Sequence, residues 1–146
     1  MQTIQEQSFA LMKEQAANWT LFRQNLEGLQ SARLRTLEFD GFRIKLQFNP
    51  RRIVSSGAKV DKDSISKRRC FLCKNHREEE QRQVDVLEHY QVLCNPFPIF
   101  REHFSIAHGD HIPQEIGASF KDFLEISSSS LHSLMVLAWM VSSSWT

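Results

Sequence analysis

The sequence is poor in the residues that mark specialised protein classes. Its 146 residues include five glycines, four prolines, three cysteines and one tyrosine. So little glycine and proline excludes a collagen-like or low-complexity chain, and three cysteines exclude a disulfide scaffold. Long apolar runs are missing too. The longest uncharged apolar run, 134–141, has eight residues, where a membrane span needs about 20. No transmembrane helix is expected. The first residues are polar, without the basic start and apolar stretch of a secretory signal. A reducing, cytoplasmic setting is therefore expected, where paired cysteines serve metal or redox chemistry before a structural disulfide.

What is present is ordinary in amount and uneven in placement. Hydrophobic residues at 41% and charged residues at 24% fit one globular domain. The length is too short for a two-lobed enzyme. A net charge of +1 hides an asymmetry: residues 51–82 carry ten basic and five acidic groups, and residues 83–146 carry two and seven. A basic stretch suits phosphate, in a nucleotide or a nucleic acid. It also suits a solvated loop that balances the acidic part of the same fold.

The apolar pattern predicts an α+β fold. Over 4–30, Met12, Ala16, Trp19, Phe22, Leu26 and Leu29 recur every three or four positions, predicting one amphipathic helix with Gly28 near its end. Over 33–48, Phe42, Ile44, Leu46 and Phe48 alternate with Arg43, Lys45 and Gln47, predicting a hairpin. Asp40-Gly41 suits its turn, of type I′. Residues 49–69 read as a long basic loop, of a length often tied to function. A helical turn is expected within 75–83, and short strands at 91–94 and 104–107. Asn95-Pro96-Phe97-Pro98 between those strands excludes a helix. A last helix is expected over 112–126, with Pro113 in its first turn. The expected architecture is an antiparallel sheet, hairpin included, flanked by helices.

Chemistry concentrates at Cys70-Phe71-Leu72-Cys73. Two cysteines at this spacing can direct both sulfurs at one metal, half of a tetrahedral zinc site. A redox pair would need the first cysteine at a helix N-terminus after a strand, and a basic loop stands there instead. Two ordinary cysteines remain a third reading. Further ligands would come from His76, His89, His103, His108, His111 and His132. His108 and His111 are spaced as in a zinc finger, but the gap from Cys73 is far too long for one.

The segment 90–114, YQVLCNPFPIFREHFSIAHGDHIPQ, resembles the first strand pair of the histidine-triad (HIT-like) superfamily. Asn95, Pro98, His103 and His111 stand at matching places, and Cys70 and Cys73 match the upstream knuckle of zinc-bearing members. These members include galactose-1-phosphate uridylyltransferases and GDP-hexose and dinucleoside polyphosphate phosphorylases; this chain looks like a separate branch. The resemblance covers roughly residues 33–126. It implies that Cys70, Cys73 and His111 ligate a structural zinc, that Asn95 contacts the ribose of a nucleotide or nucleotide-sugar, and that Phe97 lies near the base. Arg51, Arg52 or Arg101 would approach phosphates.

The pattern also departs from that superfamily. Its nucleophile sits in a His-x-His-x-(His or Gln) strand after the second helix, and another histidine there often completes the zinc site. After Ile126 this sequence has only His132, between Leu131 and Ser133. Residues 127–146 carry no charge, and eight of these twenty are serine. The resemblance therefore implies an incomplete HIT-like fold. Residues 1–126 would be the N-terminal portion of a nucleotidyltransferase or phosphorylase, and 127–146 an aberrant or truncated tail. No catalytic residue is assigned, and the chain alone is expected to be inactive. Zinc would bind weakly unless His108 or His103 supplies a fourth ligand. A missing next strand would leave a sheet edge open to self-association. The alternative is a non-catalytic zinc-binding module that contacts protein or nucleic acid through 51–82.

Overall fold

The computed structural model describes residues 2–52, 61, 63–64, 67–112, 117, 120–128 and 138–139. The fold is α+β. Helix α1 spans Ile4–Asn18 and α2 spans Thr20–Gly28. A first hairpin follows, β1 (Arg33–Phe39) and β2 (Phe42–Phe48). The main sheet is built from β3 (Gln83–Val86), β4 (Tyr90–Cys94), β5 (Phe104–His108) and β6 (Ala138–Trp139), in that order. Helix α3 spans Phe120–Ser128.

The N-terminal helix starts where its cap chemistry dictates. The Thr3 hydroxyl accepts the Glu6 N–H, and the Glu6 carboxylate accepts the Thr3 N–H, so two orphan donors are satisfied reciprocally. The expected single helix over 4–30 is broken at Trp19, whose backbone is extended. Trp19 is 2% exposed, and its indole N–H donates to the Glu78 carboxylate, so burial and a polar anchor hold it at the break. The buried stripe is Ser8, Leu11, Gln15, Trp19 and Phe22, with Met12 and Ala16 half-buried beside it. Gly28 has an ordinary helical φ, so it is not a left-handed cap. Its missing side chain admits Arg51, whose Cδ would lie 2.8 Å from an added Cβ.

The hairpin has the expected register, with Phe39 opposite Phe42 and Leu37 opposite Ile44. Its turn differs from type I′. Of the two central residues only Gly41 has positive φ, +82°, the pattern of type II. Confining that conformation to glycine spares Asp40 a steric cost. The hairpin also pairs with no strand of the main sheet among the described residues. Phe39, Phe42, Ile44, Leu46 and Phe48 stay exposed, and Gln47 tethers β2 to the Ile99 carbonyl at 3.1 Å.

In the main sheet, β3, β4 and β5 are antiparallel, whereas β5 pairs β6 in parallel. Strand β3 lies in a charged stretch that hides its period. Beside β5, Ser105 and Ile106 pair with Ala138 and Trp139 of β6. Alternation gives the sheet two different faces. Val86, Tyr90, Val92, Cys94, Phe104 and Ile106 pack on Leu11, Trp19, Phe22 and Ile126 from the helices. Leu93 and Ala107 point the other way, onto Leu72 and Cys70. The last helix begins at Phe120, not at 112; residues 113–116 and 118–119 lie outside the described set, and Gly117 is in a turn. The expected turn within 75–83 is a 3-10 turn at Lys74–His76.

Candidate metal centre

The knuckle is a short backbone turn laid on the second face of the main sheet. The Cys73 N–H donates to the Cys70 carbonyl at 3.3 Å, and the His76 N–H to the Cys73 carbonyl at 2.8 Å. Leu72, 7% exposed, anchors the turn against Leu93 and Ala107. Packing of one buried leucine thus seats the turn on this face of the sheet.

Strand β5 delivers the third donor. It ends at His108, and three residues later His111 places Nδ1 3.1 Å from Cys73 Sγ. The donor atoms of Cys70, Cys73 and His111 all lie within 4.8 Å of one another. A tetrahedral centre with metal–sulfur bonds of ~2.3 Å and metal–nitrogen bonds of ~2.0–2.1 Å needs donors ~3.5–3.8 Å apart. The three residues fit such an ion with small side-chain shifts. Two thiols and an imidazole suit a transition metal, where calcium and magnesium take oxygen donors. The Cys73 thiol is held above its ordinary range, first by burial and then by the adjacent Cys70, with Arg77 opposing.

No fourth donor joins this group among the described residues. His103 accepts the Ile99 N–H on Nδ1 at 3.1 Å, and His108 accepts the Asp110 N–H at 3.0 Å. The His108 ring also meets Tyr90 edge-on, 5.2 Å between centroids. His132 lies outside the described residues.

The proposed nucleotide residues occupy the other end of the β4–β5 pair. Asn95 follows β4, its N–H bonded to the His103 carbonyl at 3.0 Å. Its Oδ1 accepts the Phe97 N–H at 2.9 Å and its Nδ2 donates to Ser105 Oγ at 3.4 Å. Among the described residues these bonds leave one oxygen lone pair and one amide hydrogen of Asn95. Phe97 is half-buried beside it. Five-residue strands put about 15 Å between this corner and the metal group. Of the candidate arginines, Arg52 acts on His103 electrostatically, Arg51 reaches the Gln24 carbonyl, and Arg101 is exposed.

Sequence reasoning missed Arg77. It stands in a run of charges, where nothing marks it as different. In the structure its guanidinium is half-buried and donates to the Leu72 carbonyl at 2.7 Å and to Gln83 Oε1 and Gln91 Oε1, each at 2.6 Å.

A family model for a domain of unknown function, DUF4922, matches residues 11–139. The chain belongs to the DUF4922 family. The matched stretch of this DUF4922 chain includes both sheets, the knuckle and His111, and it runs past 126 to residue 139. No curated protein and no solved structure matches the chain. No helix among the described residues is long and apolar enough to cross a membrane.

Proposed function

We propose that this DUF4922 chain is a zinc-held, nucleotide-binding unit of the HIT-like kind, working in a reducing cytoplasm. The observation that carries the zinc reading is the meeting of Cys70 and Cys73 with His111, 38 residues further on. A bound zinc would pin the knuckle to the end of β5, a structural role, because the group is far from Asn95. At the Asn95 corner, the spare amide hydrogen and oxygen lone pair suit ribose hydroxyls, and the half-buried Phe97 ring suits a base. The Arg52 guanidinium, which acts on His103 electrostatically, is the cation this reading assigns to phosphate.

The sequence contains no His-x-His motif. This reading therefore assigns binding of a nucleotide or nucleotide-sugar, without the covalent transfer step that such a histidine performs. The test is equilibrium binding of GMP, UMP and AMP to the zinc-loaded chain. Binding of one of them, weakened about tenfold or more by Phe97→Ala, is expected; a bidentate or stacking contact is typically worth ~1–3 kcal/mol. Absence of binding to all three removes the nucleotide reading.

A second reading rests on the exposed Lys67, Arg68, Arg69 and Lys74 next to the knuckle. It makes the chain a zinc module that contacts nucleic acid or an acidic protein. Its mark is affinity for single-stranded or duplex nucleic acid that falls linearly with salt on logarithmic axes.

A further inference from the structure

The knuckle faces a mechanical problem. Cys70 and Cys73 belong to a loop, whereas His111 is carried by the end of a strand. A three-donor group closes only if the loop is held in one place relative to the sheet. Leu72 supplies an apolar contact, but such packing is non-directional and permits sliding. Something directional must fix the register.

Arg77 has the geometry for this. Its Nε–H donates to the Leu72 carbonyl, between the two cysteines, at 2.7 Å. Its other nitrogens donate to Gln83 on β3 and Gln91 on β4, both at 2.6 Å. Gln91 in turn pairs with Ala107 on β5, four residues before His111. One rigid guanidinium fork thus ties the knuckle's backbone to two strands, and the second of these is bonded to the strand that carries the histidine. Gln83 is held in its own place by donating to the Asp85 carboxylate at 2.6 Å. Three bonds in fixed directions leave the knuckle one position.

We propose that Arg77 is the positioning residue of the metal group, holding the Cys70–Cys73 turn at the distance from His111 that a tetrahedral ion requires. This rests on the zinc reading above. Arg77 touches no metal; it acts through the Leu72 carbonyl. A lysine cannot replace it, because an ammonium has no planar fork to reach three separated acceptors.

The test uses the full chain, with zinc affinity measured by competition against a chromophoric chelator and geometry read from the thiolate–cobalt absorption of the cobalt-loaded protein. Arg77→Gln and Arg77→Lys are both expected to weaken binding about 10–100-fold, the usual effect of removing an outer-shell partner, and to shift the cobalt bands. The pair Gln83→Ala with Gln91→Ala, which leaves the guanidinium in place, is expected to weaken binding in the same direction. It serves also if the Arg77 variants fail to fold. Wild-type affinity in Arg77→Lys, or in the glutamine pair, overturns the proposal. If the wild-type chain itself binds neither ion, the zinc reading falls and this inference with it. If the wild-type chain binds zinc tightly and every variant matches it, only the role of Arg77 falls.

Discussion

Gln15 and Arg82 are joined across 67 residues of chain: Gln15 Oε1 accepts the Arg82 backbone N–H at 3.1 Å. The same amide donates to the Glu80 carbonyl at 2.8 Å, and Gln15 itself is fully buried. A helix side chain thereby mimics a neighbouring strand for the segment that leads from the knuckle into β3. Gln15→Leu keeps the volume and removes both bonds, leaving a carbonyl and an N–H without these partners. The expected cost is about 1–3 kcal/mol, read as a lower urea midpoint with an unchanged slope.

The three cysteines are expected to react in two classes. Cys94 is buried and its thiol is pushed up to about 12 by that burial, with a small contribution from Glu14. Cys70 and Cys73 are half-buried. The zinc-loaded native chain should therefore show almost no reactive thiol to a maleimide at neutral pH, and chelation should release two. Cys94 should react only on unfolding. A single-rate modification of all three, with or without chelator, would contradict the site.

His103 makes stability depend on pH. Its pKa lies below the ordinary 6.5, because burial disfavours the imidazolium and Arg52 repels it. Protonation would also remove the Nδ1 lone pair that accepts the Ile99 N–H. In the unfolded chain the ring takes up its proton near its ordinary value, before the folded ring does. The folded state is therefore at full advantage above that value and loses ground as pH falls through it toward the lowered one. Urea unfolding between about pH 7 and about pH 5 should show a steeper loss for the wild-type chain than for His103→Gln, which cannot titrate there. Equal slopes would show that His103 is not held neutral.

The hairpin was legible because its whole determinant is local. A period of two and a glycine turn need no knowledge of the rest of the chain. Strands β4 and β5 were legible because prolines separate them. Strand β3 was not, since its outward Gln83 and Asp85 are chosen by Arg77 and by each other, not by a period. The break at Trp19 was hidden for the same reason: its cause is Glu78, far along the chain. The polar members of the buried stripe, Ser8 and Gln15, mislead a count of apolar residues. Ser8 returns its hydroxyl to the Ile4 carbonyl, and Gln15 is satisfied from another segment. The cysteine pair showed half of a candidate metal group. Its third member could be placed only by resemblance, because which histidine meets Cys73 depends on where β5 ends.

Two residues with positive φ give opposite predictions from one physical cause. Gly41 has φ +82° in the first hairpin, and Leu87 has φ +49° in the turn between β3 and β4. The left-handed region costs a residue with a Cβ roughly 1–2 kcal/mol, and glycine is spared. Gly41→Ala meets no atom within 4 Å, so strain alone acts there. Part of the penalty is offset by the stiffer unfolded chain, leaving about 1 kcal/mol. Because the first hairpin pairs with no strand of the main sheet among the described residues, that loss should appear as faster amide exchange in β1 and β2, with little change in global unfolding. Leu87 is 39% exposed and belongs to neither buried cluster. Leu87→Asn, which tolerates the left-handed region, should raise global stability by about 0.5–1 kcal/mol, because β3 and β4 belong to the main core. A destabilised Leu87→Asn would show that the side chain's contacts outweigh its backbone strain.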